Sequence, residues 1–198
     1  MLNRACSHFE RASFPSNCQV SLSFPGLFGF GLSAIFLNLF QTGLFSIDIT
    51  ILAMGVFYGG IAQITSGLFE WHKNNIFGAT AFVSFGLFWL SLVGFIMLPE
   101  VGWGVVPQAT VLSAYFFLWG GFTLILLANA TQISPSVKIV FISLVVYFIA
   151  FSLGEATESM SVRMAAGYCG FASGFAALYA GMALIIKQVF DCSIISRR

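Results

Sequence analysis

Six long apolar stretches, separated by short polar connections, dominate the hydrophobic pattern of this 198-residue chain. Each has about 18 residues or more, which is the length that a helix needs to cross about 30 Å of hydrocarbon. Barrel strands would instead alternate apolar and polar residues over about ten positions. The pattern predicts an all-α polytopic membrane protein with six transmembrane helices: Pro25–Thr42, Ile47–Phe69, Ile76–Leu98, Ala109–Ala130, Val137–Leu153 and Ala165–Ile186.

The connections between these stretches are short, so one transmembrane domain is predicted over residues 24–187. Residues 1–23 are polar and contain arginine and serine, as transit peptides do, but we favour a cytoplasmic tail. Residues 188–198 are predicted to form a second cytoplasmic tail.

Composition supports this class of protein, because 59% of the residues are hydrophobic and only 8% are charged. An ordinary soluble domain carries about 25% charged residues. The net charge is +1 and the basic residues form no stripe, so no nucleic-acid partner is predicted.

The basic residues fall almost entirely on one side of the predicted membrane. Lysine and arginine concentrate on the cytoplasmic side of membrane proteins, so both termini are predicted to be cytoplasmic. The plasma membrane is the expected location, and an organelle membrane remains an alternative. Arg163 is on the opposite side, whereas the other seven share one side: Arg4, Arg11, Lys73, Lys138, Lys187, Arg197 and Arg198.

Polar residues inside the predicted spans are neutral, and no acidic or basic residue lies at the middle of any span. Such residues ordinarily bond between helices, but Asn38 and Gln63 each have four hydrogen-bonding positions to satisfy. A hydrated path would satisfy them, so both are candidate path residues. Glu70, at the end of the second span, is either a proton-linked or entrance residue or a helix-end residue in the headgroup region.

No catalytic motif is present, so the sequence does not predict an enzyme. His8 and His72 lie outside the spans, and the chain has neither an HExxH motif nor a phosphate-binding loop. The four cysteines have no metal-ligand spacing. We therefore expect no catalytic residue, no metal site and no cofactor.

The region Phe57–Leu90 consists of two spans joined by the tight polar turn Glu70–Asn75. With Ile35–Gly43 (IFLNLFQTG), Trp119–Thr123 (WGGFT) and Ala177–Ala183 (ALYAGMA), it closely resembles the acetate uptake transporter family of the GPR1/FUN34/YaaH type. The resemblance covers roughly residues 24–187.

That resemblance implies six-helix protomers assembled as a ring, commonly a homohexamer, in which each protomer has its own path. It further implies transport of acetate, and in some members succinate, together with protons. The family's apolar constriction of a Phe, a Tyr and a Leu would correspond to Phe30, Phe85 and Leu144, with Tyr147 as a rival for the last. Polar path residues would be Ser33, Asn38 and Gln63.

The chain departs from the family pattern in one motif and at one further residue. The family's NPAPLGL-type motif is SLSFPGL here, at Ser21–Leu27, and Phe85 stands where the family has tyrosine. A dry ring of two phenylalanines and a leucine would gate by dewetting and would favour a protonated acid or a small neutral solute.

The sequence thus leaves three functions open. The first is a proton-coupled transporter or channel for acetate and related small monocarboxylates, including propionate or succinate. The second is a channel for a small neutral solute such as urea or another amide. The third is a membrane scaffold that transports nothing.

Overall fold

The computed structural model describes residues 23–130 and 134–195 of the chain. All regular structure in this part is helical, and six helices are long and apolar enough to span a membrane. The sequence prediction of six helices of membrane-spanning length and composition is therefore confirmed. They are α1 Ser23–Gln41, α2 Ile49–His72, α3 Ile76–Glu100, α4 Ala109–Asn129, α5 Pro135–Ala156 and α6 Met160–Ile195.

Helix α2 changes its winding part-way along. It is α-helical over Ile49–Met54, π-helical over Gly55–Ala62 and α-helical again over Gln63–His72. Asp48 begins it by accepting hydrogen bonds from the backbone N–H groups of Thr50 and Ile51, which otherwise lack partners at a helix start. Helical turns of the π type are rare and frequently lie at functional sites.

Within the described residues, consecutive helices pack closely against each other except α3 and α4, and α1 packs between α2 and α6. The antiparallel pair α1 and α6 approaches closely at Gly31 and Gly174. A Cβ added at Gly31 would lie 2.8 Å from the Gly174 carbonyl oxygen, and one at Gly174 would lie 2.9 Å from the Gly31 carbonyl oxygen. Small residues of this kind let membrane helices approach each other without voids.

The contact between α3 and α4 is made by large side chains instead of close backbones. Phe88 of α3 stacks on Tyr115 at 5.8 Å between ring centroids and meets Trp119 edge-on at 5.1 Å. The hydroxyl groups of Ser91 and Tyr115 are 2.6 Å apart. Aromatic side chains therefore fill the space between α3 and α4, where the helix backbones stay apart.

The two ends of the bundle differ in charge. We call the end formed by the α2–α3 and α4–α5 connections, near Lys73 and Lys138, the basic end. We call the other the acidic end, which carries Asp48, Glu100, Glu155 and Glu158. Arg163 also lies at the acidic end, but its guanidinium is 3.4 Å from the carboxylate of Glu155, whose charge it balances.

The helix ends differ modestly from the predicted spans. Helix α5 begins at Pro135, two residues before the predicted span. It ends at Ala156 and α6 begins at Met160, so the α5–α6 connection is shorter than the polar sequence suggested. Helix α6 also continues to Ile195, through most of the predicted C-terminal tail. The predicted N-terminal tail, apart from Ser23, and the basic residues Arg4, Arg11, Arg197 and Arg198 lie outside the described residues.

Replacing Gly174 with leucine is expected to destabilise the bundle, because the new side chain would force α1 and α6 apart. Overpacking of this kind costs about 1–3 kcal/mol, which should lower the thermal midpoint of the detergent-solubilised protein. Gly121→Leu is the matched control, since nothing lies within 4 Å of a Cβ added at Gly121. Equal losses in both variants would contradict the close packing at Gly174.

Candidate functional site

Three cavities follow one another along the inside of the bundle. The basic-end cavity has a volume of about 320 Å³, the central cavity about 10 Å³ and the acidic-end cavity about 320 Å³. Phe30 and Leu144 line both the basic-end and the central cavity, and Leu37 lines both the central and the acidic-end cavity. The cavities thus outline a path that narrows twice.

The first narrowing is apolar. Phe30, Phe85 and Leu144 are all buried, and the rings of Phe30 and Phe85 are 6.3 Å apart. Leu144 separates the two cavities, whereas its rival Tyr147 lines only the central one. The structure therefore brings together the three residues that the family resemblance singled out.

Phe85 is held in place by aromatic neighbours on other helices. Its ring centroid lies 6.1 Å from Trp119, 6.0 Å from Phe122 and 6.3 Å from Phe141. With phenylalanine at this position the narrowing has no hydroxyl group from this ring, so it presents carbon surface on both sides.

The second narrowing carries a hydrogen bond between α1 and α5. The Gln41 amide donates to the Tyr147 hydroxyl over 3.0 Å. Tyr147 lines the central cavity, and Gln41 lines the acidic-end cavity. The bond therefore crosses the boundary between these two cavities beside Leu37.

Two amides of the predicted path lie in the cavities. Gln63 is 1% exposed and lines the basic-end cavity, while Asn38 is 2% exposed and lines the central cavity. The Asn38 amide donates to the Ala34 carbonyl over 2.7 Å. The side-chain oxygens of both residues have no hydrogen-bond partner within the protein, so each can accept a bond from a solute or from water.

Ser33 occupies a different place. Its hydroxyl donates to the Met54 carbonyl over 2.8 Å, which ties α1 to α2 just before the π-helical segment. It lines none of the three cavities. Its contacts are those of a residue that positions the neighbouring helices.

Glu70 is buried at the basic end, with 3% of its surface exposed. The Asn75 amide donates to its carboxylate over 2.6 Å, and the ammonium of Lys73 lies 3.6 Å away. Asn75 also accepts from the backbone N–H of Gly78 at the start of α3 and lines the basic-end cavity. Glu70 thus fixes the rim of that cavity through Asn75.

Comparison with protein families identifies the chain. The model of the GPR1/FUN34/yaaH family matches residues 20–194. The chain belongs to this family. The succinate-acetate/proton symporter SatP of Escherichia coli K12 is 41% identical over 170 residues, which are 86% of this chain and 90% of that protein.

Two further similar proteins were found. An uncharacterized protein of Methanothermobacter thermautotrophicus is 40% identical over 177 residues, covering 86% of this chain and 87% of that protein. A solved structure described as the bacterial acetate channel SatP superposes with a TM-score of 0.86 at 40% identity. The superposition covers 87% of this chain and 96% of the solved chain.

Sequence reasoning missed two polar residues of this GPR1/FUN34/yaaH family member. Trp89 is 3% exposed, lines the central cavity and has an indole N–H without a partner in the protein. Gln41 lines the acidic-end cavity. A tryptophan among many aromatic residues gives no sequence signal, and Gln41 stood at a span end, where polar residues are expected.

Asn75→Ala is expected to destabilise the basic end, because it removes both the cap of α3 and the donor to Glu70. Loss of such a cap alone costs about 1 kcal/mol. Hydrogen exchange at the first turn of α3 and the thermal midpoint would report the change. Asn74→Gly is the control, since the exposed Asn74 has a φ of 58°, which glycine adopts readily; similar effects of both variants would contradict this role of Asn75.

Proposed function

We propose that this chain transports acetate and related small monocarboxylates, together with protons, and takes succinate as a further substrate. It acts as a transporter or channel and not as an enzyme. The observation that carries this proposal is the pair of large cavities at the two ends of the bundle, which the Phe30–Leu144 narrowing, the small central cavity and the narrowing at Leu37 separate. This arrangement occurs in a chain 41% identical to a protein named as a succinate-acetate/proton symporter.

The apolar narrowing supports passage of the acid in its protonated form. A bare carboxylate would lose its hydration there at a cost of many kcal/mol. Each pH unit above the pKa of an acid corresponds to about 1.4 kcal/mol. At about two units above the pKa, protonation therefore costs only about 2.7 kcal/mol, and the proton then crosses with the acid.

The proposed roles of the site residues follow from their contacts. Phe30, Phe85 and Leu144 form the constriction, and Asn38 and Gln63 bind the solute on its two sides. The contacts of Ser33 and Glu70 support structural roles for these residues and not direct contact with the solute. Ser33 would hold α1 on α2, and Glu70 would shape the entrance at the basic end.

We further propose that the protomers assemble as a homohexameric ring in the plasma membrane, with both termini in the cytoplasm. An organelle membrane is the alternative. The basic end would then face the cytoplasm, as the distribution of lysine and arginine favours. Many large apolar side chains are exposed on the outside of the bundle, among them Phe57, Leu118, Tyr179 and Phe190, as expected for surfaces that meet lipid or another protomer.

Uptake of radiolabelled acetate into proteoliposomes, with and without an inward proton gradient, tests the proposed function. We expect a saturable signal above that of protein-free liposomes, which the gradient stimulates. Labelled urea serves as the comparison solute. Urea uptake without acetate uptake would overturn the proposal in favour of a neutral-solute channel, and no flux of either solute would favour a scaffold.

Phe30→Ala and Leu144→Ala are each expected to widen the constriction and admit larger acids. Both residues line the cavities on both sides of it, so truncation joins these cavities. The ratio of butyrate to acetate uptake should rise several-fold. The control is Leu118→Ala, because Leu118 lies on the outside of α4 with 71% of its surface exposed. Wild-type selectivity in both the Phe30→Ala and the Leu144→Ala variants would show that these residues do not form the constriction.

A further inference from the structure

The central cavity contains two buried polar atoms of opposite hydrogen-bonding character. Its lining includes Asn38, whose side-chain oxygen can only accept, and Trp89, whose indole N–H can only donate. Both residues are at most 3% exposed, and neither atom has a partner within the protein. Unpaired buried polar groups are costly, and in native proteins each one calls for a ligand or another explanation.

The bundle makes room for both side chains with glycine. A Cβ at Gly170 on α6 would collide with the Asn38 amide, and a Cβ at Gly59 on α2 would lie 2.6 Å from the Trp89 ring. Gly59 lies within the π-helical segment of α2. Two neighbouring helices, α6 and α2, thus fit closely against the two polar side chains and hold them in place.

The remaining lining is free of charge. Apart from Asn38 and Trp89 it consists of apolar residues and Tyr147, whose hydroxyl already accepts from Gln41: Phe30, Ala34, Leu37, Phe88, Leu144, Tyr147, Phe148 and Gly170. A carboxylate offers only acceptors, so it would face the Asn38 oxygen without a proton to share and without a cation to balance it. Trp89 and the Tyr147 hydroxyl can donate to either form of an acid, but only the protonated form also supplies a donor for the Asn38 oxygen, so the lining favours the neutral acid over the anion.

We propose that the central cavity is a binding site for a neutral carboxyl group, in which Asn38 accepts the acid O–H and Trp89 donates to the acid carbonyl. This proposal rests on the proposed function, since it assumes that the path carries carboxylic acids. It adds that the protein selects the protonated form by hydrogen bonding, and that a primary amide, which also combines one donor group with one acceptor, binds in the same place.

The small volume of the central cavity limits how a ligand can bind in it. About 10 Å³ is close to the space of a single water molecule, so a carboxyl group enters only when neighbouring side chains move. Phe30 and Leu144 border the cavity on one side and Leu37 on the other. The site thus binds its ligand between two narrowings, in an occluded position.

Competition by acetamide and acetone tests this site in proteoliposomes that contain the full chain. The two probes have similar size, but acetone has an acceptor and no donor. We expect acetamide to inhibit acetate uptake at least about tenfold more strongly than acetone, the difference that one buried hydrogen bond provides. Asn38→Leu should abolish this difference, and Trp89→Phe should weaken both inhibitors by about tenfold.

Asn129→Leu is the matched control. Asn129 makes the same type of bond to the carbonyl four residues earlier, at 2.8 Å, but it is exposed and lies at the end of α4. It should therefore behave like the wild type. If Tyr147→Phe weakens the inhibitors and Trp89→Phe does not, the donor is Tyr147 and the assignment of Trp89 is overturned.

Tryptophan fluorescence supplies a second readout that does not require transport. The emission of Trp89, taken as the difference between wild type and Trp89→Phe, should shift on addition of acetic acid or acetamide and not of acetate at high pH. Proton-driven acetate uptake without this shift and without competition by acetamide would overturn the site and leave the proposed function standing. A shift without acetate uptake would overturn the proposed function and retain the site for neutral carbonyl compounds.

Discussion

Polar groups inside a membrane protein must find their hydrogen-bond partners within the protein or along a hydrated path, and this constraint organises the whole bundle. Most polar side chains of the spans meet it through backbone carbonyls, as Ser33 does at Met54. The oxygens of Asn38, Gln41 and Gln63 do not find a partner in the protein. These three amides lie one in each cavity, so the unmet hydrogen bonds trace the path through the bundle.

The aromatic side chains serve two purposes at once. Around Phe88 and Trp119 they close the gap between α3 and α4, and through Phe85 the same cluster reaches the constriction. The width of the path is thereby connected to the packing of two helices. Because close-packed interiors transmit small displacements, movement of α4 relative to α3 would alter the constriction.

Sequence patterns predicted the six helices because continuous apolar runs of this length have few other structures available to them. Resemblance to the family also led to Phe30, Phe85 and Leu144, which the fold brings together. The sequence did not predict which hydrogen-bond partners the polar residues have, because these partners depend on how each helix is rotated about its own axis. Ser33 bonds to α2 instead of lining a cavity, Glu70 is buried against Asn75, and no pattern indicated the unpaired N–H of Trp89.

The central claim is that the solute crosses each protomer beside Leu144. Leu144→Cys, in a chain whose four native cysteines are replaced by serine, tests this claim by reaction with methyl methanethiosulfonate. We expect labelling to abolish acetate flux and acetate to slow the labelling, while Leu118→Cys on the outer surface is labelled without effect on flux. Complete labelling of Leu144→Cys with unchanged flux would contradict it.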